Sequence, residues 1–190
     1  NNVSKHIVPK KTLCLFFAGS LSHNIRSPFY LLDLLMHITT SNVQFFLAGN
    51  FDSQNILGKY ISDHRNIHYL GLLKHEDVIK YAEDADVLVN IGNSIATMVP
   101  SKIFEYMSFD KPLLTTIKIK NDPCGNYYER YSKCCIIDET LPLESNVSVL
   151  ENFLEEVRQG RYSYVSSIDS FTKNRPITVV KFIEKQCDRL

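Results

Sequence analysis

The sequence has no surplus of charge of either sign: 21 basic and 21 acidic residues cancel over 190 positions. A nucleic-acid groove or a polybasic membrane face needs concentrated positive charge, so neither is expected, and any anionic ligand must be held by local groups. No run approaches the ~20 apolar residues needed to cross a bilayer, and the polar opening NNVSKH does not read as a secretory signal. The domain is therefore expected to be soluble and cytoplasmic. Its five cysteines, Cys14, Cys124, Cys134, Cys135 and Cys187, are an odd number without a CxxC pair, which suits reduced thiols. The sequons at Asn2 and Asn146 are read as accidental. The histidines His6, His37, His64, His68 and His75 share no metal-ligand spacing, and no GxSxG, Walker A or GxGxxG string occurs. Hydrolase, P-loop and dinucleotide-binding readings lose their usual support.

What the chain does have is alternation. Thr12 to Ala18 and Val43 to Ala48 are short, nearly continuous apolar runs that each end in glycine, as expected of strands buried on both faces. Ile67 to Leu70, Val87 to Ile91, Pro112 to Ile117 and Cys134 to Ile137 read the same way, giving six strands. Helical periodicity occupies Phe29 to Ile38, Ser53 to Ser62, Glu76 to Glu83 and Ser101 to Ser108. Proline near a helix start, and acidic residues such as Glu76 and Asp77 in a first turn, suit the free N–H groups there. Strands alternating with such helices predict right-handed crossovers and a doubly wound parallel α/β sheet with helices on both faces. Further on, Val147, Leu150, Phe153, Leu154 and Val157 form one helical stripe, and Ile177, Val180, Phe182 and Ile183 suggest a last helix. No repeat or Gly/Ser linker marks a second domain, so residues 1–190 are read as one.

In open α/β sheets ligands bind at the carboxyl ends of the strands, where loops diverge and helix N-termini face the crevice. Three loops qualify: Gly19 to Ser27, Gly49 to Ser53 and Asn90 to Lys102. The third places Gly92 after a strand and Pro100 before a helix that opens at Ser101 and Lys102. Glu105 lies one turn further on, where a carboxylate can accept hydrogen bonds from both hydroxyls of a ribose.

Read together, AGSLSHNIRSP (Ala18 to Pro28), FFLAGN (Phe45 to Asn50), the stretch Ile67 to Asn93 and VPSKIFEYMSFDKPLL (Val99 to Leu114) resemble the C-terminal donor-binding domain of family 4 type glycosyltransferases. The resemblance runs from about residue 12 to residue 117. It implies the Rossmann-like half of a GT-B fold that binds a nucleotide-diphosphate sugar, of UDP or GDP type, for transfer to a glycan or lipid-linked acceptor. Bacterial surface polysaccharide synthesis is the implied setting. It further implies no cofactor and no bound metal, the leaving diphosphate being stabilised by Arg26 and Lys102. By the same resemblance Glu105 is the ribose-binding glutamate, Ser101 and Lys102 the phosphate-contacting helix start, and Gly19 the glycine that lets the diphosphate approach the backbone. Gly49, Asn90 and Gly92 join the substrate-binding set as loop positions at the strand ends. Two positions depart from the pattern. Thr97 stands where the family often has a second glutamate, and Ser20 where an arginine usually follows the first-loop glycine.

His23, in the first loop, is a candidate for touching donor or acceptor. Asp84-Ala85-Asp86 imitates a DxD metal motif, yet it precedes a strand and so belongs at the opposite end of the sheet. Nothing in the 190 residues resembles the N-terminal acceptor domain of a GT-B enzyme, so that half is expected as a separate partner, carrying any peripheral contact with the inner face of a membrane. A sugar-nucleotide 2-epimerase, or a non-catalytic interaction module on the same fold, are the competing readings.

Overall fold

The computed structural model describes residues 12–164 except Ser53. The last expected helix, around Ile177 to Ile183, lies outside the described residues, as do Asn2, His6 and Cys187. Six strands and six helices alternate: β1 (Leu13–Ala18), α1 (Phe29–His37), β2 (Val43–Ala48), α2 (Gln54–Asp63), β3 (Ile67–Gly71), α3 (His75–Asp84), β4 (Val87–Asn90), α4 (Lys102–Ser108), β5 (Leu113–Ile117), α5 (Gly125–Arg130), β6 (Cys134–Asp138) and α6 (Leu143–Arg158). Every strand pairing is parallel, in the order β3-β2-β1-β4-β5-β6. This is the doubly wound sheet expected from the apolar runs.

The two-residue period of a strand sorts side chains onto two faces. Leu13, Leu15 and Phe17 of β1, with Val87 and Val89 of β4, pack under α1, α2 and α6 through Leu31, Leu34, Leu57, Leu150 and Leu154. Phe16, Ala18 and Leu88 point the other way, beneath α3, α4 and α5, and meet Ala82, Ile103, Tyr106, Met107, Tyr128 and Tyr131. Because both faces are covered, the strands are apolar throughout instead of alternating with polar residues.

The stripe Val147 to Val157 forms the inner face of α6 as expected, with Leu150 and Leu154 fully buried. Asn146 begins that helix buried, its amide donating to Tyr30 Oη at 2.7 Å and to the Asp138 carbonyl at 2.9 Å. A side chain so engaged is not a glycosylation acceptor. Helix α5 is not apparent in the apolar periodicity: its sequence GNYYER carries too few apolar residues, and its signal is the turn before it, where Asp122 Oδ1 accepts the Cys124 N–H at 2.8 Å. Among the described residues no helix is long and apolar enough to cross a membrane.

Candidate functional site

Strands β1 and β4 are neighbours, but the chain leaves β1 for α1 on one face and β4 for α4 on the other. Their loops must therefore part, and a crevice opens between them at the carboxyl edge. The β1 loop is fastened in place. Ser22 and Arg26 exchange two backbone hydrogen bonds of 3.1 Å, the Leu21 N–H reaches the Asn50 carbonyl at 2.8 Å, and the His23 N–H donates to Asp52 Oδ1 at 3.0 Å. From the β4 side the Ser94 N–H donates to the Ile25 carbonyl at 3.0 Å. Three of the sequence-selected loops thus form one connected rim.

Arg26 sits half-buried in this rim. Burial draws its pKa below the ordinary value, while Tyr128, Tyr106 and Cys124 close by act in the opposite direction. Those three groups are themselves held protonated by burial: both tyrosines are pushed up strongly, and the Cys124 thiol rises to about 11. At neutral pH these neighbours are accordingly uncharged. Among the described residues no carboxylate lies within ion-pair distance of it. A partly desolvated cation without a counter-charge is a site prepared for an anion.

The glycines of the crevice answer first to the backbone around them. Gly49 has φ of +129°, and a Cβ there would stand 1.9 Å from the Gly19 carbonyl oxygen. A Cβ on Gly92 would stand 2.3 Å from the Thr116 carbonyl oxygen. Both positions exclude a side chain before any ligand arrives. Gly19 differs, since its Cβ would meet only the tip of the Phe17 ring at 3.1 Å; of the three, it is the one where no backbone atom stands in the way of a side chain.

Asn90 is buried, and its amide donates to Thr115 Oγ1 at 2.9 Å and to Tyr128 Oη at 3.0 Å. Both N–H groups are turned into the protein, which gives this residue a supporting place beneath the crevice. Tyr106 does the same for α4: its buried hydroxyl accepts the Ala18 N–H at 2.8 Å and donates to the Ala18 carbonyl at 3.2 Å, pinning the helix to the end of β1. Neither tyrosine was legible as a site residue, because a tyrosine at helical spacing reads first as core.

Helix α4 opens in a tight turn in which the Ile103 and Phe104 N–H groups donate to the carbonyls of Pro100 and Ser101 at 3.3 and 3.1 Å. Two first-turn donors are thus already engaged. Ser101, at the N-cap, is exposed and makes no capping bond through its hydroxyl. Lys102 and Glu105 lie together on one side of the helix, 3.7 Å apart and about one-third exposed each, with the Lys102 ammonium 5.7 Å from the centre of the Tyr106 ring. Thr97 lies exposed in the preceding turn. His23 is exposed, its ring edge-on to Phe29 at 5.7 Å.

Asp84 and Asp86 fall at the opposite edge, as their place before β4 requires. Asp86 Oδ2 accepts the N–H of Cys14, near the start of β1, at 2.9 Å. Both aspartates line a cavity of about 520 Å³ with Lys111, Lys133 and Arg158. These cations are engaged locally: Lys111 with the Ala85 carbonyl at 2.6 Å, Lys133 with the Asp110 carboxylate at 3.1 Å, and Arg158 with the Ser41 carbonyl at 2.7 Å.

Comparison with solved structures shows the same architecture at low sequence identity. WaaG, described as a glycosyltransferase involved in lipopolysaccharide biosynthesis, superposes with a TM-score of 0.66 at 16% identity, over 89% of this chain and 45% of its own. A sucrose-phosphate synthase from Thermosynechococcus elongatus superposes with a TM-score of 0.68 at 12% identity, over 96% of this chain and 46% of its own. The C-terminal domain of a glycosyl transferase group 1 family protein, LpcC, from Francisella tularensis gives a TM-score of 0.61 at 10% identity, over 87% of each chain. The chain spans under half the length of the first two. No curated protein matches the chain. The profile of one family, described as glycosyl transferases group 1, matches residues 12–123. That match runs from β1 through the loop after β5 and takes in the whole crevice; the chain belongs to the glycosyl transferases group 1 family.

Proposed function

We propose that this domain binds the diphosphate of a nucleotide-sugar donor at the carboxyl edge of β1 and β4, as the donor half of a glycosyltransferase. The observation that carries the reading is Arg26, a half-buried guanidinium without a carboxylate partner among the described residues, fixed in a fastened loop at the strand-order reversal. A diphosphate supplies the missing charge, and its hydrogen bonds to the guanidinium are of the strong, charge-assisted kind.

Glu105, part-exposed on α4, is suited to accept both ribose hydroxyls. Lys102, now paired with Glu105, is close enough on the same helix to turn toward phosphate as the pair opens. As the bond between the sugar's anomeric carbon and the diphosphate oxygen breaks and an acceptor hydroxyl, losing its proton, bonds to that carbon, negative charge accumulates on the departing diphosphate. Arg26 and Lys102 lower the barrier by stabilising that charge, provided they are already in position. Gly19 allows the diphosphate close to the backbone of the β1 loop, and His23, Thr97 and Ser101 line the exposed rim where sugar or acceptor would enter.

Transfer itself calls for an acceptor site, and we assign that to an N-terminal half in the manner of GT-B enzymes, with a glycan or lipid-linked acceptor. The setting we assign, from the family resemblance, is surface polysaccharide assembly. Calorimetric titration of the chain with UDP, GDP and ADP, each with and without EDTA, tests the proposal. Binding of at least one, unaltered by EDTA, is expected; no binding by any, or binding lost with EDTA, refutes it.

A further inference from the structure

Strand β1 loses its two neighbours at different points. Toward β2 it stays paired to its last residue, Ala18↔Ala48, but toward β4 the register ends at Phe16↔Leu88. Along a strand the N–H and C=O of one residue leave on the same side, and those of the next residue on the other. The Gly19 N–H bonds to the Ala48 carbonyl at 3.0 Å, on the β2 side. Both backbone groups of Ala18 therefore face the gap where β4 has already parted. Ala18 is buried, and leaving two backbone groups without partners there would be costly.

One side chain answers both groups. The Tyr106 hydroxyl accepts the Ala18 N–H at 2.8 Å and donates to the Ala18 carbonyl at 3.2 Å, across 88 positions of sequence. It does what a further residue of β4 would have done, yet it belongs to α4, so the helix takes the strand's place at the mouth of the crevice. Tyr106 is buried, which keeps its hydroxyl protonated and able to donate. The same stretch of helix carries Glu105 and Lys102, whose ammonium lies 5.7 Å from the centre of the Tyr106 ring. Ala18 leads directly into Gly19 and the fastened loop that bears Arg26. The hydroxyl thus sets how far α4 stands from the end of β1.

We infer that the Tyr106 hydroxyl, bonded where β1 has no strand partner, is the positioning group that fixes the spacing between the β1 loop and α4 and so matches the crevice to a ligand that touches both walls. The inference rests on the reading of the crevice as a diphosphate site, in which Gly19 and Arg26 stand on one wall and Lys102 and Glu105 on the other. Tyr106 acts through the backbone of Ala18 and the placement of α4, without touching the ligand.

The test compares two ligands on the full chain. One is whichever of UDP or GDP the wild type binds, which spans both walls; the other is the corresponding nucleoside, which by that reading touches α4 alone. Tyr106→Phe keeps the ring beside Lys102 and removes the oxygen. The dissociation constant for the diphosphate, by calorimetry, is expected to rise roughly 3- to 10-fold, the scale of a lost hydrogen bond, while that for the nucleoside, by NMR titration, changes less than about twofold. A merely structural role would move both constants alike. Parallel weakening of the two ligands, or an unchanged diphosphate constant in a variant folded by circular dichroism, overturns the inference.

If Tyr106→Phe does not fold, amide hydrogen exchange on the wild type decides. The Ala18 amide should be protected in the free chain, and should exchange more slowly still with saturating diphosphate but not with saturating nucleoside. Exchange at the unprotected rate, or no difference between the two ligands, overturns the inference. A wild type that binds neither diphosphate refutes the parent reading instead, so the two failures are told apart before any variant is made.

Discussion

Gly49→Ala should be among the most damaging single-methyl additions in this domain, and the reason has nothing to do with a ligand. At φ of +129° the backbone is in a region that side chains rarely adopt, and holding alanine there costs about 1–3 kcal/mol. The new methyl would also stand 1.9 Å from the Gly19 carbonyl oxygen, well inside contact distance. That oxygen is backbone on a strand end held by the 3.0 Å bond from the Gly19 N–H to Ala48, so it cannot simply rotate away. Overpacking of this kind adds about 1–3 kcal/mol. The two together make about 2–6 kcal/mol, and in a chain of this size each kcal/mol lowers Tm by about 2–4 °C. Thermal unfolding followed by circular dichroism should therefore show a drop of at least about 4 °C. Gly19→Ala is the control: its methyl meets a ring tip at 3.1 Å, which can yield by a few tenths of an ångström, at a cost near the lower edge of the overpacking range, about 1 kcal/mol. Its effect should appear in nucleotide affinity, where a methyl opposing the phosphate by about 1.4 kcal/mol raises Kd roughly tenfold. If Gly19→Ala proved the more destabilising of the two, or Gly49→Ala left Tm unchanged, the division of the crevice glycines into structural and ligand-facing would be wrong.

Other substitutions separate binding from folding. Arg26→Ala should raise the Kd of the preferred nucleoside diphosphate roughly 10- to 100-fold, as expected for lost hydrogen bonds to a charged group. It should leave Tm unchanged or higher, because it removes a partly buried cation that has no counter-charge; a clear fall in Tm would count against the geometry described. Glu105→Ala should weaken nucleotide affinity severalfold by calorimetry with the circular-dichroism spectrum intact, since the exposed pair it breaks with Lys102 is worth under about 1 kcal/mol; unchanged affinity removes Glu105 from the site. Alkaline pH should destabilise the fold through the buried thiols. Cys124 is pushed from 9.0 up to about 11 and Cys135 up to about 12, so the folded state holds protons that the unfolded chain releases. Their contribution is fully present below about pH 9 and is lost as pH rises through 11 to 12. Urea midpoints should be level from pH 7 to 8.5 and fall steadily above pH 9, and a midpoint that rises there would refute the assignment.

The order and kind of elements were legible because burial on both faces leaves a plain signature: LCLFFA and VQFFLA have nowhere polar to point, and each is followed by a glycine. The three loops that form the crevice follow from that alternation, since a doubly wound sheet must open where its strand order reverses. Arg26, Glu105, Lys102 and Gly19 become candidates for the same reason, lying in those loops or at a helix start. Helix α5 was not: GNYYER has no apolar stripe to detect, and its tyrosines are polar enough to read as loop. What each side chain is for lay further out of reach. Asn90 occupies a strand end like any ligand-facing residue, and only the approach of Thr115 and Tyr128, 25 and 38 positions away, turns its amide inward. Gly49 and Gly92 belong to the crevice by position, yet it is the nearness of Gly19 and Thr116, set by packing between neighbouring strands, that forbids them a side chain. The absence of a carboxylate beside Arg26 is likewise a fact of three dimensions. Local pattern determined where the crevice forms, because periodicity and burial act along the chain; tertiary packing decided which of its residues support the fold and which remain unpaired for a ligand, because those contacts join residues the chain keeps far apart.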